Sequence, residues 1–196
     1  MRPFDISILA EPFTQAGGMA QRSYPLSKVY GLLEPGPVVL LSTVHKGRAN
    51  VMTMSWHTMM EFEPPLVGCI VSGRDFSFDA LKATRQCVLN IPTVELKATV
   101  VGCGNTSGRS VDKFKDFGLT PVPAALVDAP LIAECYANLE CRVVDTRMVN
   151  RYNFFVLEVL KAWIDPICKD PRTLHHRGRG AFMVAGETIK LPSKMK

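Results

Sequence analysis

The chain has 196 residues, 47% of them apolar and 21% charged, with a formal net charge of +5. This is the composition of an ordinary globular domain, long enough to bury a sizeable core, and a single domain over 1–196 with an N-terminal arm at 1–36 is expected. No apolar run reaches the roughly 18–20 residues of a membrane span, and the opening MRPFDISILAEPF lacks the basic start and long apolar middle of an export signal. A cytoplasmic protein without a membrane partner is therefore expected.

The first 35 or so residues mix Gly, Pro and polar residues without period, with one short helix expected at 25–33. Residues 38–43, β-branched and apolar, predict a buried strand. HKGR at 45–48 is a turn, and 50–55 is the returning strand of a hairpin. EFEPP at 61–65 ends that section. Residues 66–72 predict a further strand, and 77–85 a helix with Ser77 as its N-cap. A strand at 88–91 is stopped by Pro92. A helix is expected at 93–101, capped by Thr93 and broken by GCGN at 102–105. A short helix at 110–117 is closed by Gly118. Ala137, Leu139, Cys141 and Val143 alternate with polar residues, which predicts a half-exposed strand. Residues 152–165 predict a long strand, and a last strand is expected around Phe182. Strands in hairpin and meander order, with helices inserted irregularly, indicate a mainly β barrel with short peripheral helices rather than a doubly wound sheet.

The chain has neither GxGxxG nor GxxxxGK[ST], and neither GxSxG nor HExxH. Its six cysteines form no CxxC pair and its four histidines lack ligand-like spacing, so reduced thiols and no metal are expected. Arg172, His175, His176, Arg177 and Arg179 cluster late in the chain. Such a patch suits nucleotide phosphates or plain solvation, and no motif supports a nucleic-acid partner.

Three segments carry chemistry. In NVMTMSW at 50–56, Met52 and Met54 share one strand face and Thr53 and Ser55 the other. Short hydroxyls, exposed backbone N–H groups and the polarizable Met and Trp56 surfaces suit a phosphate and a planar ring, although an ordinary barrel strand has the same pattern. In CIVSGRDFS at 69–77 a strand runs through a Gly loop into a helix N-terminus, which is an anion site or a plain connection. In SGRSVDKF at 107–114, Lys113 sits in the first turn of its helix, where a cation is disfavoured unless an anion offsets it or water solvates it.

Taken in order, PVVLLST at 37–43, NVMTMSW at 50–56, PPLVGCIVS at 64–72 with Ser77, VLNIP at 88–92, SG and DKF at 107–114, GLT at 118–120, FVLEV at 155–159 and HHRGRGAFMVAGE at 175–187 resemble the flavin-reductase-like, or flavoredoxin-type, FMN-binding split barrel. The resemblance covers about 37–191, most of the chain. It implies a Greek-key split β-barrel that forms a homodimer, with FMN near the subunit interface. The strand matching 50–56 would line the flavin through Asn50, Thr53, Ser55 and Trp56. Ser77 and Lys113 would hold the phosphate or nearby polar atoms, with Ser72 beside them and Phe182 near the ring. Many members carry GDH ahead of the long strand, where this chain has VNRYN at 149–153, so Tyr152 stands at the histidine position. A phenol with an ordinary pKa near 10 replaces an imidazole poorly in proton transfer at neutral pH. Arg151 could attract an anionic nicotinamide nucleotide.

The implied activity is reduction of flavin or another small acceptor, such as ferric iron or a redox partner protein, with NADH or NADPH as donor. Arg177 and Arg179 offer a weak argument for a 2′-phosphate. No catalytic side chain is expected, because the cofactor carries the chemistry and the protein orients it. The alternative is a flavoredoxin-type electron carrier without direct NAD(P)H oxidation.

Overall fold

Side chains on a strand point alternately to two sides, and the apolar run after Gly36 is apolar throughout because both sides are covered. The computed structural model describes residues 36–192; the arm and its expected helix at 25–33 lie outside them. In β1 (Val39–His45), Val39 and Leu41 enter one core cluster while Leu40, with Val38 before it, enters another. β2 (Arg48–Met54) returns as a hairpin in direct register, Val39 opposite Met54 and His45 opposite Arg48. Lys46 and Gly47 both take positive φ at its tip, the twist that a two-residue hairpin demands.

β3 (His57–Phe62) and β4 (Pro65–Ile70) form a second hairpin. Next come α1 (Phe76–Thr84), β5 (Gln86–Ile91), a 3-10 turn (Val94–Leu96), α2 (Lys97–Asn105) and α3 (Lys113–Asp116). The short pair β6 (Pro121–Val122) and β7 (Leu131–Ile132) precedes β8 (Ala137–Asp145), α4 (Val149–Tyr152), β9 (Phe154–Ile164), β10 (Leu174–His176) and β11 (Phe182–Val184). Seven strands form one antiparallel sheet in the order β2-β1-β5-β8-β9-β4-β3. Laid flat, the outer strands would stand about 29 Å apart at ~4.8 Å per strand. Yet β2 and β3 are joined by Ser55 and Trp56 alone, so Met54 and His57 stand at most about 11 Å apart. The sheet must therefore curl into a barrel, with β2–β3 acting as one bent strand at the corner. The result is the expected mainly β, Greek-key split barrel with short helices around it.

The barrel interior is filled by side chains from β1, β2, β4, β5, β8 and β9, with Phe155, Leu157, Leu41 and Leu89 at its centre. A second layer, between the outside of β1–β2 and the segment carrying α2 and α3, contains Val51, Val100, Cys103, Phe114 and Ile132. All six cysteines are unpaired, and five are buried. Burial, aided by the neighbouring Cys141, pushes the Cys69 thiol up to about 12, and burial pushes Cys135 to about 12, so these are packing groups rather than nucleophiles.

Several expectations need correction. α2 continues to Asn105 instead of breaking at GCGN. The glycines there serve close packing: a Cβ on Gly102 would lie 2.4 Å from the Phe117 ring, and one on Gly104 would lie 3.4 Å from Thr53. α1 begins one residue early, with Asp75 at the N-cap, so Ser77 is inside the helix and is not its cap. The helix expected at 110–117 shrinks to four residues, with the Asp112 carboxylate accepting from the Lys115 N–H. Strand β3 was hidden because nearly all of HTMMEF is exposed and so shows no burial period. The long strand begins at Phe154, and Tyr152 closes α4 instead.

β8 is half-exposed only in its second half, where Arg142 is exposed; in its first half the polar face is covered by the Pro-rich loop before β7, and Asn138 and Glu140 are buried. The Glu140 carboxylate accepts from the Ala125 N–H at 3.0 Å, the Leu126 N–H at 2.6 Å and Trp163 Nε1–H at 2.7 Å. Burial alone would push its carboxyl up, but these hydrogen bonds and the Lys161 charge together hold it below its ordinary value. Among the described residues no helix is long and apolar enough to cross a membrane.

Candidate functional site

Where β2, the first turn of α1 and the segment from the end of α2 to α3 meet, a cavity of about 170 Å³ opens. Asn50, Met52 and Thr53 line it from β2; Arg74, Asp75, Phe76 and Ser77 from the start of α1; Cys103, Gly104, Thr106, Ser107, Gly108 and Lys113 from the remainder. The bottom is buried and polar. Asn50 Nδ2 donates to Ser77 Oγ at 2.8 Å. Lys113 Nζ donates to the Cys103 carbonyl at 2.6 Å. Lys113 is buried rather than solvated, and burial holds its ammonium below the usual lysine range, partly offset by Cys103 and Asp75. Gly108 allows the loop to close over this floor: a Cβ there would lie 2.1 Å from Asn50 Oδ1 and 2.6 Å from Phe76.

Arginines surround the cavity. Arg48 and Arg109 lie over the Phe76 ring, 5.4 and 5.6 Å from its centroid. Arg48 donates to the Gly108 carbonyl and Arg109 to the Arg74 carbonyl. Among the described residues neither guanidinium, nor that of Arg74, has a carboxylate within ion-pair distance. A buried ammonium, uncompensated guanidinium groups and the first-turn N–H groups of a nine-residue helix make the site attractive to an anion. The donor set and the volume fit a phosphate with a short polar chain attached.

The structure gathers Asn50, Met52, Thr53, Ser77 and Lys113 around this cavity. It does not bring the other expected residues there. Met54 is buried in the barrel core. Ser55 and Trp56 occupy the corner between β2 and β3, about 20 Å along the strand from Asn50 at ~3.4 Å per residue, and Trp56 is 54% exposed. The Thr53 hydroxyl is committed to the Val100 carbonyl at 2.6 Å. Ser72 Oγ accepts from the Arg74 N–H at 3.2 Å, stiffening the approach to α1. Tyr152 is half-exposed beneath the Arg151 guanidinium. Phe182 lines a separate apolar groove with Val101, Leu174 and Val184. Sequence reasoning did not single out Arg48, Phe76 or Arg109, although the last two lie inside the segments 69–77 and 107–114. Arg48 read as the end of a hairpin turn.

Residues 32–182 match the flavin reductase like domain, which is most of the chain. The chain belongs to this family. It is 30% identical over 172 residues to the uncharacterized protein YddH of Escherichia coli K12, covering 81% of this chain and 91% of that one. Its fold superposes with a TM-score of 0.75 on an FMN-binding domain of a flavin reductases-like enzyme from Shewanella baltica, at 26% identity over 87% of this chain and 97% of that one. Flavoredoxin from Methanosarcina acetivorans is similar to the same degree, with a TM-score of 0.75 and 26% identity over 89% of this chain and 97% of that one. These likenesses make the chain a flavin reductase-like protein of FMN-binding fold.

Proposed function

We propose that the chain binds FMN with its phosphate in the 170 Å³ cavity and acts as an NAD(P)H-dependent reductase of flavin or another small acceptor. The observation that carries this reading is the buried Lys113 ammonium beside the Asn50–Ser77 pair, within a set of arginines that have no carboxylate partner among the described residues. FMN, when bound, supplies the two-electron chemistry. Lys113, Ser77 and the arginines bind and neutralise the phosphate, Asn50 fixes Ser77, and Met52 offers apolar surface to the chain beyond it. Ser55 and Trp56, at the corner beyond the end of β2, are the residues for the ring end. With Tyr152 at the position where the family resemblance implies a histidine, donor oxidation depends on ring placement rather than on a side-chain base.

An exposed apolar band on β3 and the residue before it, Trp56, Met59, Met60 and Phe62, supports a homodimer that would cover this edge. A flavoredoxin-type carrier is the second reading, favoured by Tyr152 at the histidine position and by the likeness to the Methanosarcina acetivorans protein. Anaerobic mixing of the FMN-loaded protein with NADH and NADPH separates the two. Bleaching of the flavin bands by either donor supports the reductase. Bands that persist until dithionite is added rule out the reductase and leave the carrier.

A further inference from the structure

Among the described residues, α2 is covered on one side only. Its inner face is spent on β2 and the second core layer: Val100 and Cys103 are buried, and the Val100 carbonyl accepts from the Thr53 hydroxyl at 2.6 Å. Its outer face, continued from the 3-10 turn, presents Val94, Ala98 and Val101 at helical spacing. Leu174, Phe182 and Val184 of the β10–β11 hairpin complete an apolar groove of about 630 Å³ along this face. Val101 is 38% exposed there. An apolar helix face left open to water in this way marks a place where something docks.

The chain itself arrives at this groove. The Val38 N–H donates to the Leu174 carbonyl at 2.7 Å, so the residues just before β1 lead away from the groove's own wall. Residues 1–35 precede that point. Within them, the stretch 25–33 places Leu26, Val29, Tyr30 and Leu33 at i, i+3, i+4 and i+7, one apolar stripe of a helix, with Ser27, Lys28 and Gly31 on the other side. Pro35 disfavours helical backbone at Glu34 and so sets the end of such a helix. At most about 18 Å of chain separates Leu33 from Val38, and a helix over 25–33 is about 14 Å long. The stripe is therefore within reach of Val101 and Phe182. We infer that segment 25–33 of the same chain lies as a helix in this groove, with Leu26, Val29, Tyr30 and Leu33 packed against α2 and the β10–β11 hairpin. The segment lies mostly ahead of residue 32, where the family match begins, so this cover is added to the shared domain rather than part of it.

The test is hydrogen exchange read by mass spectrometry on the full chain, as wild type, Val29→Asp and Val101→Asp, each at a high and a low protein concentration. In the wild type the amides of 25–33 should exchange at least about tenfold more slowly than those of an unstructured peptide, and equally at both concentrations. Either substitution should remove that protection and quicken exchange in 97–102, while β1, β5 and β9 stay protected. Val101 is already partly exposed, so an aspartate has room there. Ala98→Asp, on the same exposed face, takes its place if the strands of Val101→Asp lose protection. Free exchange of 25–33 in the wild type overturns the inference. Protection of 25–33 that survives an aspartate on the α2 face overturns it too, because the segment is then held elsewhere. Protection that disappears on dilution assigns the groove to a second copy of the chain and likewise overturns it.

Discussion

Asn50 on β2 and Ser77 on α1 are 27 residues apart, both buried, and joined by a single 2.8 Å hydrogen bond. This bond ties the strand to the helix at the floor of the phosphate cavity and fixes the Ser77 oxygen there. Asn50→Ala leaves the Ser77 hydroxyl buried without its donor, which costs about 1–3 kcal/mol. The expected outcome is a lower urea midpoint and FMN binding weakened about tenfold or more, read by flavin fluorescence.

Gly108 is set by the same contact. A methyl group at this position would meet Asn50 Oδ1 at 2.1 Å and the Phe76 ring at 2.6 Å. Gly108→Ala should displace the 104–110 loop and weaken FMN binding, while leaving the sheet intact by circular dichroism. A flavin affinity equal to the wild type would mean that this loop does not close over the cofactor.

Lys113 gives the site a pH dependence of known sign. Burial holds its pKa below the ordinary 10.5, so the ammonium is lost at a lower pH than an exposed lysine would lose it. A phosphate that depends on this charge binds best when Lys113 is protonated. FMN affinity should therefore fall as pH rises through the alkaline range below 10.5. Lys113→Met should weaken binding about tenfold or more, since charged hydrogen bonds contribute about 1.5–3 kcal/mol, and should flatten that alkaline limb.

Glu140 governs the Pro-rich loop rather than the site. Its folded-state pKa is lowered from the ordinary 4.5 by hydrogen bonds that outweigh burial. Its contribution to stability is present above 4.5 and is lost as pH falls below that value through the folded-state one. Glu140→Gln should cost about 2–3 kcal/mol near neutral pH, and the loss should shrink in acid. Thermal unfolding of both proteins across that range measures it.

Thr43→Val should act in the opposite direction on stability. Its hydroxyl is buried without a partner among the described residues, and removing such a group gains roughly 1 kcal/mol. A raised Tm in the ligand-free protein would show that the buried hydroxyl costs the fold stability, and an unchanged or lowered Tm would contradict it.

The sequence was most informative where pattern and burial coincide. The two-faced apolar run of β1 and the strands at Gln86–Ile91 and Phe154–Ile164 were legible because core residues recur along them. β3 was not legible, because its apolar residues face outward. β8 misled because Glu140 looks solvated in a period of two, while a loop distant in sequence covers it. The glycines of α2 read as breakers because their reason, the Phe117 ring and Thr53, comes from other elements. Asn50, Ser77 and Lys113 could be picked out along the chain, but their convergence, and the arginines around Phe76, depend on loop geometry that local pattern does not encode.

The most direct test of the account is titration of the flavin-free protein with FMN and with riboflavin, followed through the flavin bands and fluorescence. The cavity built on Lys113, Ser77 and Asn50 predicts that FMN binds at least tenfold more tightly than riboflavin, and that Lys113→Met removes most of the difference. Equal affinity for the two flavins, or no binding of either, would contradict a phosphate seat in this cavity.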